Sequence, residues 1–144
     1  MGYGERNTWS GLIAGIAGIA VYVAIVAPQL GSRPAGEIDW LWPMVWTVGG
    51  AIVVSIVLGI VWGIVAGARD PEERHVEDVR DRDIARLGDR VGQAFLVLAM
   101  VGTIALCAVS AEWFWIANTV YAGLALSSIV GGVARVIVYR GGMP

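Results

Sequence analysis

The sequence predicts an all-α polytopic membrane protein: four transmembrane helices arranged as two in-out-in hairpins, with a cytoplasmic amphipathic helix extending the third span. Three observations predict it. Four stretches carry no formal charge, Asn7–Ser32, Trp40–Ala68, Val91–Ala111 and Trp113–Ala134, and each can supply the roughly 20 apolar residues that cross a bilayer. Hydrophobic residues make up 57% of the 144-residue chain and charged residues 15%, far from the balance of a soluble domain. The ten basic residues, all Arg, fall on alternate sides of these spans with a nine-to-one bias, and such a bias sets orientation by the positive-inside rule. A single membrane domain over residues 1–144 follows, with spans at about 8–28, 42–67, 90–110 and 113–136.

The first span resembles a signal peptide only superficially. Glu5 and Arg6 cancel, and no small-x-small cleavage site follows the apolar run. Gly11, Gly15 and Gly18 place small residues along one helix face.

The second span opens with Trp40, Trp42 and Trp46, indoles expected at the outer interface. Ala51, Ser55, Gly59, Gly63 and Gly67 recur every four positions. In lipid, helices associate by close backbone approach, so this stripe is a candidate packing face, within one bundle or between two copies. Bulky substitution at Gly59 is expected to disrupt assembly in either case.

Between the second and third spans lies the charged segment 69–90. Asp70-Pro71-Glu72-Glu73 reads as a helix start, with an N-cap carboxylate and proline at the first helical position. Val76, Val79, Ile84, Leu87 and Val91 then fall on one side of a helical wheel, with Asp70–Arg74 and Asp78–Arg82 spaced to pair. The segment therefore predicts an amphipathic helix running into the third span, bending at Gly88 or Gly92. Six Arg are set against eight acids from Arg69 to Arg90, which disfavours a polybasic lipid anchor. Arg80, Arg82, Asp83 and Arg86 are the candidate partner-docking residues; the alternative is a helix that caps the bundle or dimerises.

The third span holds Cys107, the only cysteine, so a disulfide within the chain is impossible. The fourth opens with Trp113 and Trp115 and carries a second small-residue stripe, Gly123, Ser127 and Gly131. Asn118, about two turns in, must find a partner because hydrocarbon offers none. It predicts an interhelical hydrogen bond, with a polar pathway through the membrane as the other reading.

The second and fourth spans align at an offset of 72 residues: Thr47-Val48 on Thr119-Val120, Ser55 on Ser127, Gly59 on Gly131. Either the hairpin is duplicated, which predicts pseudo-two-fold packing, or two Val/Ile/Gly-rich spans align by chance.

No Asp or Glu lies in the central part of any span, which disfavours a proton-coupled transporter. The near balance of Arg and acids disfavours a nucleic-acid partner. His75 is the one histidine, so neither a haem nor a metal site is expected and no cofactor is implied. No spacing of nucleophile, base and metal ligand points to an enzyme.

Glu5-Arg6-Asn7-x-Trp9, Trp42-Pro43-Met44, Arg80-Asp81-Arg82-Asp83-Ile84 and Phe114-Trp115-Ile116-Ala117-Asn118 together resemble an uncharacterised family of small bacterial, actinobacterial-type four-helix membrane proteins. Its members are often found beside helix-turn-helix regulators. The resemblance spans nearly the whole chain and implies a fold but no activity, substrate or catalytic residue. Where the family's loop reads Asp-Glu-Arg-Asp, this chain has Arg80 and Asp81 before Arg82-Asp83.

The expectation is a non-enzymatic, multi-pass protein of the bacterial cytoplasmic membrane with both termini cytoplasmic. It would act as an anchor or sensor that docks a cytoplasmic regulator and pairs as a homo-oligomer, most simply a dimer. A small homo-oligomeric channel or passive transporter is the alternative.

Overall fold

The computed structural model describes residues 3–69 and 79–141, with the side chains of 3, 66–69, 79 and 80 left aside. Asp70-Pro71-Glu72-Glu73, His75 and Val76 lie outside the described residues, as do the side chains of Arg80 and Gly67's neighbours in the last turn of the second helix.

Four long helices make up the described chain: α1 (Tyr3–Leu30), α2 (Leu41–Arg69), α3 (Val79–Ala108) and α4 (Trp113–Gly141). All four are long and apolar enough to cross a membrane. At 1.5 Å per residue each extends about 42–45 Å, more than the hydrocarbon core alone requires. Pro43 falls in the first turn of α2, where its missing N–H removes no helical bond. Pro28 falls in the last turn of α1.

Neighbouring helices run antiparallel. Gly18 of α1 lies against Thr47 and Ala51 of α2, Gly132 of α4 against Leu12 of α1, and Gly88 of α3 against Gly131 of α4. The connections 31–40 and 109–112 therefore share one end of the bundle, called here the hairpin end. The start of α3 and the finish of α4 share the other, Arg-rich end. The α3–α4 connection is short because α3 closes with a Schellman motif: Ala111 N–H donates to Leu106 O at 2.9 Å and Ser110 N–H to Cys107 O at 3.0 Å. Ser110 takes the left-handed conformation there, with φ 53°.

Packing orders the helices α2, α1, α4, α3, each against the next, while α2 and α3 do not pack along one another. A pseudo-two-fold exchanging the hairpins would map the α1–α4 contact onto α3–α2. Among the described residues α1 and α4 pack together while α2 and α3 do not pack along one another, so the packing departs from a two-fold exchange of the hairpins.

The α3–α4 crossing is the tightest. A Cβ on Gly88 would come within 2.7 Å of Gly131 O, one on Gly92 within 2.7 Å of Ser127 O, and one on Gly131 within 2.8 Å of Gly88 O. These glycines let two backbones touch. The expected bend at Gly88 or Gly92 is replaced by an unbroken helix through both, because close approach, not flexibility, is what these positions supply.

Buried side chains are few. A cluster of Tyr22, Val26, Ile38 and Phe114 closes the hairpin end, with Trp40, Met44 and Tyr121 packed on it. At the Arg-rich end Ile84 is fully buried, and the Tyr139 hydroxyl donates to Asp81 Oδ1 at 3.0 Å, tying α4 to α3. No residue in the membrane-length window of α2 is buried. Outside the face where Thr47 and Ala51 meet Gly18 of α1, its Val, Ile and Trp side chains are exposed, which in a soluble protein would be a large aggregation-prone patch and in a bilayer is a lipid-facing surface.

Candidate functional site

Most hydroxyls in the spans are satisfied by their own helices. Thr8, Ser10, Thr47, Thr103 and Thr119 each donate to the carbonyl four residues back, and Ser128 to the one three back. Such back-bonding lets a polar side chain exist in hydrocarbon without a partner helix. Asn118 is also satisfied. Its amide donates to Phe114 O at 2.8 Å, and its carbonyl accepts the Tyr22 hydroxyl at 2.6 Å. It joins α4 to α1 beneath the aromatic cluster, where Tyr22 also meets Tyr121 with ring centroids 4.6 Å apart.

Four polar side chains in or at the edge of the spans differ: Asn7, Ser55, Gln93 and Ser127 make no side-chain hydrogen bond among the described residues. All four line one cavity of about 640 Å³. Its floor is α1 and α4, through Gly11, Gly15, Ser127 and Ser128, and its walls are Ser55 of α2 and Gln93 of α3. Because α2 and α3 do not pack along one another, the cavity opens sideways between them.

Among the described residues the charged ones on the cavity wall are Asp89 and Arg135, an ion pair between α3 and α4. Half of the Asp89 side chain and more remains open, while Arg135 is two-thirds covered, and its Nε is buried without a partner. Arg135 stands 22 residues along α4 from Trp113, about 33 Å at 1.5 Å per residue. With the indole near one interface, the pair sits at the opposite edge of a hydrocarbon layer about 30 Å thick. Gln93, one turn further along α3, and Ser127, two turns before Arg135 on α4, lie about 6 and 12 Å deeper. The chemistry on offer is a cation, an anion, two amides and hydroxyls around a space at the membrane boundary.

Toward the hairpin end the cavity adjoins an apolar groove of about 480 Å³ that shares Gly11, Gly15, Ser55, Leu124 and Ser128 with it and continues past Ile19, Ile52 and Ile56. Beyond the groove the Tyr22, Tyr121 and Phe114 cluster blocks the way.

The sequence-predicted residues fall in several places. Gly123 and Gly131 face α3, and Ser127 both touches Gly92 and lines the cavity. Ser55 is on the cavity wall. Gly59 and Gly63 border a shallow groove with Asn7, and a Cβ on Gly59 would meet only Asn7 Oδ1, at 3.7 Å. That is ordinary contact within the chain, so the expected disruption by a residue at Gly59 has no tight backbone approach behind it. Asn118 is a tie between helices under a closed layer. On the first turns of α3, Asp83 and Arg86 pair at 3.6 Å, and Arg82 is exposed. Arg80 belongs to α3, its side chain outside the described residues. Ile84, on the apolar stripe of this segment, is covered by the bundle itself.

Sequence reasoning passed over Gln93, Asp89 and Asn7. A signal existed: Gln93 is the one amide in the uncharged stretch of the third span. That it faces Ser55 and Ser127 depends on which helices neighbour one another. Comparisons with protein-family models, with curated proteins and with solved structures give no match to this chain, so the site is read from its own geometry.

Proposed function

We propose that this chain is a non-enzymatic sensor of the bacterial cytoplasmic membrane, in which occupancy of the Asp89–Arg135 cavity is relayed through α3 to a cytoplasmic partner. One observation carries the reading. α3 is a single unbroken helix whose Gly88, Asp89 and Gln93 form a cavity wall and whose preceding turns present Arg82, Asp83 and Arg86. A ligand that moves the wall would move the charged face with it, and coupling between two sites requires an element that both share.

The Arg bias supports placing this end in the cytoplasm, with Arg33 alone at the other. The resemblance to proteins found beside helix-turn-helix regulators supports a regulator as the partner. The exposed Val, Ile and Trp side chains of α2 give a second copy a surface for a homodimer.

The test is affinity recovery from native membranes of the wild type and of a variant in which Arg80, Arg82 and Arg86 are reversed to Glu. A stoichiometric partner recovered with the wild type and lost in the inserted variant supports the reading. Equal recovery removes the charged face from it.

A small homo-oligomeric facilitator is the second reading, favoured by the cavity and groove that together run from the Arg-rich end to the Tyr22 layer. Transport would require that layer to part. Purified protein verified as inserted in liposomes and passing no common ion or small solute overturns it.

A further inference from the structure

We infer that the cavity binds one phospholipid with an aminophosphate headgroup, its phosphate at Arg135, its primary ammonium at Asp89 and one acyl chain along the groove of Ile19, Ile52 and Ile56. This gives the proposed sensor its ligand, and it rests on that reading for the identity of the leaflet.

Three features point to this class. The Asp89–Arg135 pair is neutral as a unit, so it complements a zwitterion and not a simple anion or cation. Each ligand charge can meet one of the two without leaving the other uncompensated at a membrane boundary, where an unpaired charge is expensive. Around the pair, the unbonded Asn7, Gln93 and Ser127 offer donors and acceptors for phosphate and ester oxygens. An ammonium with N–H bonds can use those acceptors, whereas a quaternary ammonium cannot.

Position supplies the second feature. The charged part lies at the edge of the hydrocarbon layer, where headgroups lie, and the adjoining groove runs deeper and is apolar. Polar cavity and apolar groove share five residues, so they form one amphipathic site. The third is access. Among the described residues α2 and α3 do not pack along one another, so a lipid would enter sideways between them without leaving its leaflet.

The experiment is native mass spectrometry of the full-length protein released from nanodiscs of equal parts phosphatidylethanolamine, phosphatidylcholine and phosphatidylglycerol. One retained lipid per chain is expected, with phosphatidylethanolamine preferred about tenfold over the other two. Asp89→Asn is expected to abolish the preference and Arg135→Gln to abolish retention. Because either variant can weaken the α3–α4 contact, Gly15→Leu is the decisive one. Nothing lies within 4 Å of a Cβ at Gly15, and Gly15 lines both cavity and groove, so leucine enters their junction, and retention is expected to be lost at unchanged Tm.

Equal retention of all three lipids overturns the proposal, as does preference for phosphatidylglycerol. Retention unaffected by Gly15→Leu overturns it too. Displacement of the lipid by soluble glycerophosphoethanolamine at stoichiometric concentration would make the ligand a water-soluble phosphate ester instead. Lipid-free dimers would assign the α2–α3 gap to a second copy. Since the assay contains no cytoplasmic partner, its failure leaves partner recovery as a separate test of the sensor reading.

Discussion

The Tyr22 hydroxyl donates to Asn118 Oδ1 at 2.6 Å, joining the hairpin-end halves of α1 and α4 beneath the aromatic cluster. It crosses between helices, whereas the hydroxyls of Thr47, Thr103 and Thr119 each donate to a carbonyl of their own helix.

Tyr22→Phe leaves the Asn118 carbonyl in a dry site without its donor. The expected loss is about 1 kcal/mol of stability, near the middle of the range for polar contacts between membrane helices. Asn118→Leu combined with Tyr22→Phe should cost less than the two single losses summed. Reversible unfolding in mixed micelles reads the cycle. Strict additivity would mean that the two residues contribute separately, through packing alone.

Gly88→Val and Gly131→Val each push a side chain into a backbone carbonyl of the facing helix, 2.7–2.8 Å from the first added atom. Backbone cannot swing aside, so α3 and α4 must separate, at a cost of about 2 kcal/mol or more. A Cβ at Gly49 or Gly50 meets nothing within 4 Å, so Gly49→Ala and Gly50→Ala are expected to leave Tm nearly unchanged, with Gly59→Ala close to them. A Tm loss at Gly59 equal to that at Gly88 would require a close contact from outside the chain, and its dependence on protein concentration would identify a second copy.

Four spans were legible because charge and length report directly on the bilayer: Arg33 and the loop around it separate two apolar runs, and Ser110-Ala111-Glu112 separate two more. The partnership of Asn118 was legible in kind, because a buried amide needs a donor or acceptor wherever it sits. Which helix supplied it was not, since Tyr22 lies 96 positions away and nothing in local spacing links them. Small-residue stripes in α2 and α4 look alike in sequence, yet Gly131 touches a backbone while Gly59 borders a groove. Periodicity fixes a face but not its neighbour. The cavity was invisible for the same reason, being made where α2 and α3 fail to meet.

Ser110 holds a left-handed φ of 53° at the close of α3, a conformation in which a Cβ is crowded. Ser110→Gly relieves that crowding but gains freedom in the unfolded chain, so the net stabilisation is expected to be modest, about 0.5 kcal/mol. Ser110→Val should destabilise by more than this, because a β-branched residue tolerates positive φ poorly. Paired thermal melts of the two variants check the sign, and a stabilising valine would contradict the Schellman geometry of the turn.

Orientation has its own consequence for the ligand site. In the proposed orientation, which rests on the Arg bias, Arg33 and its loop lie outside and Arg86 inside. A cysteine replacing exposed Glu37, in a Cys107→Ser background, should react with a membrane-impermeant maleimide in intact cells. A cysteine replacing Arg86, whose side chain is 78% exposed, should react only after permeabilisation. Native Cys107 lies in the last turn of α3, at the hairpin end, and its modification should follow that of position 37. The reverse pattern at positions 37 and 86 would place the Asp89–Arg135 pair in the outer leaflet. The cavity would keep its chemistry, but its lipid would be drawn from the other monolayer, and no cytoplasmic protein could meet Arg82 and Arg86. Labelling at these two positions therefore decides which side of the membrane the α3 face can serve before any partner is sought.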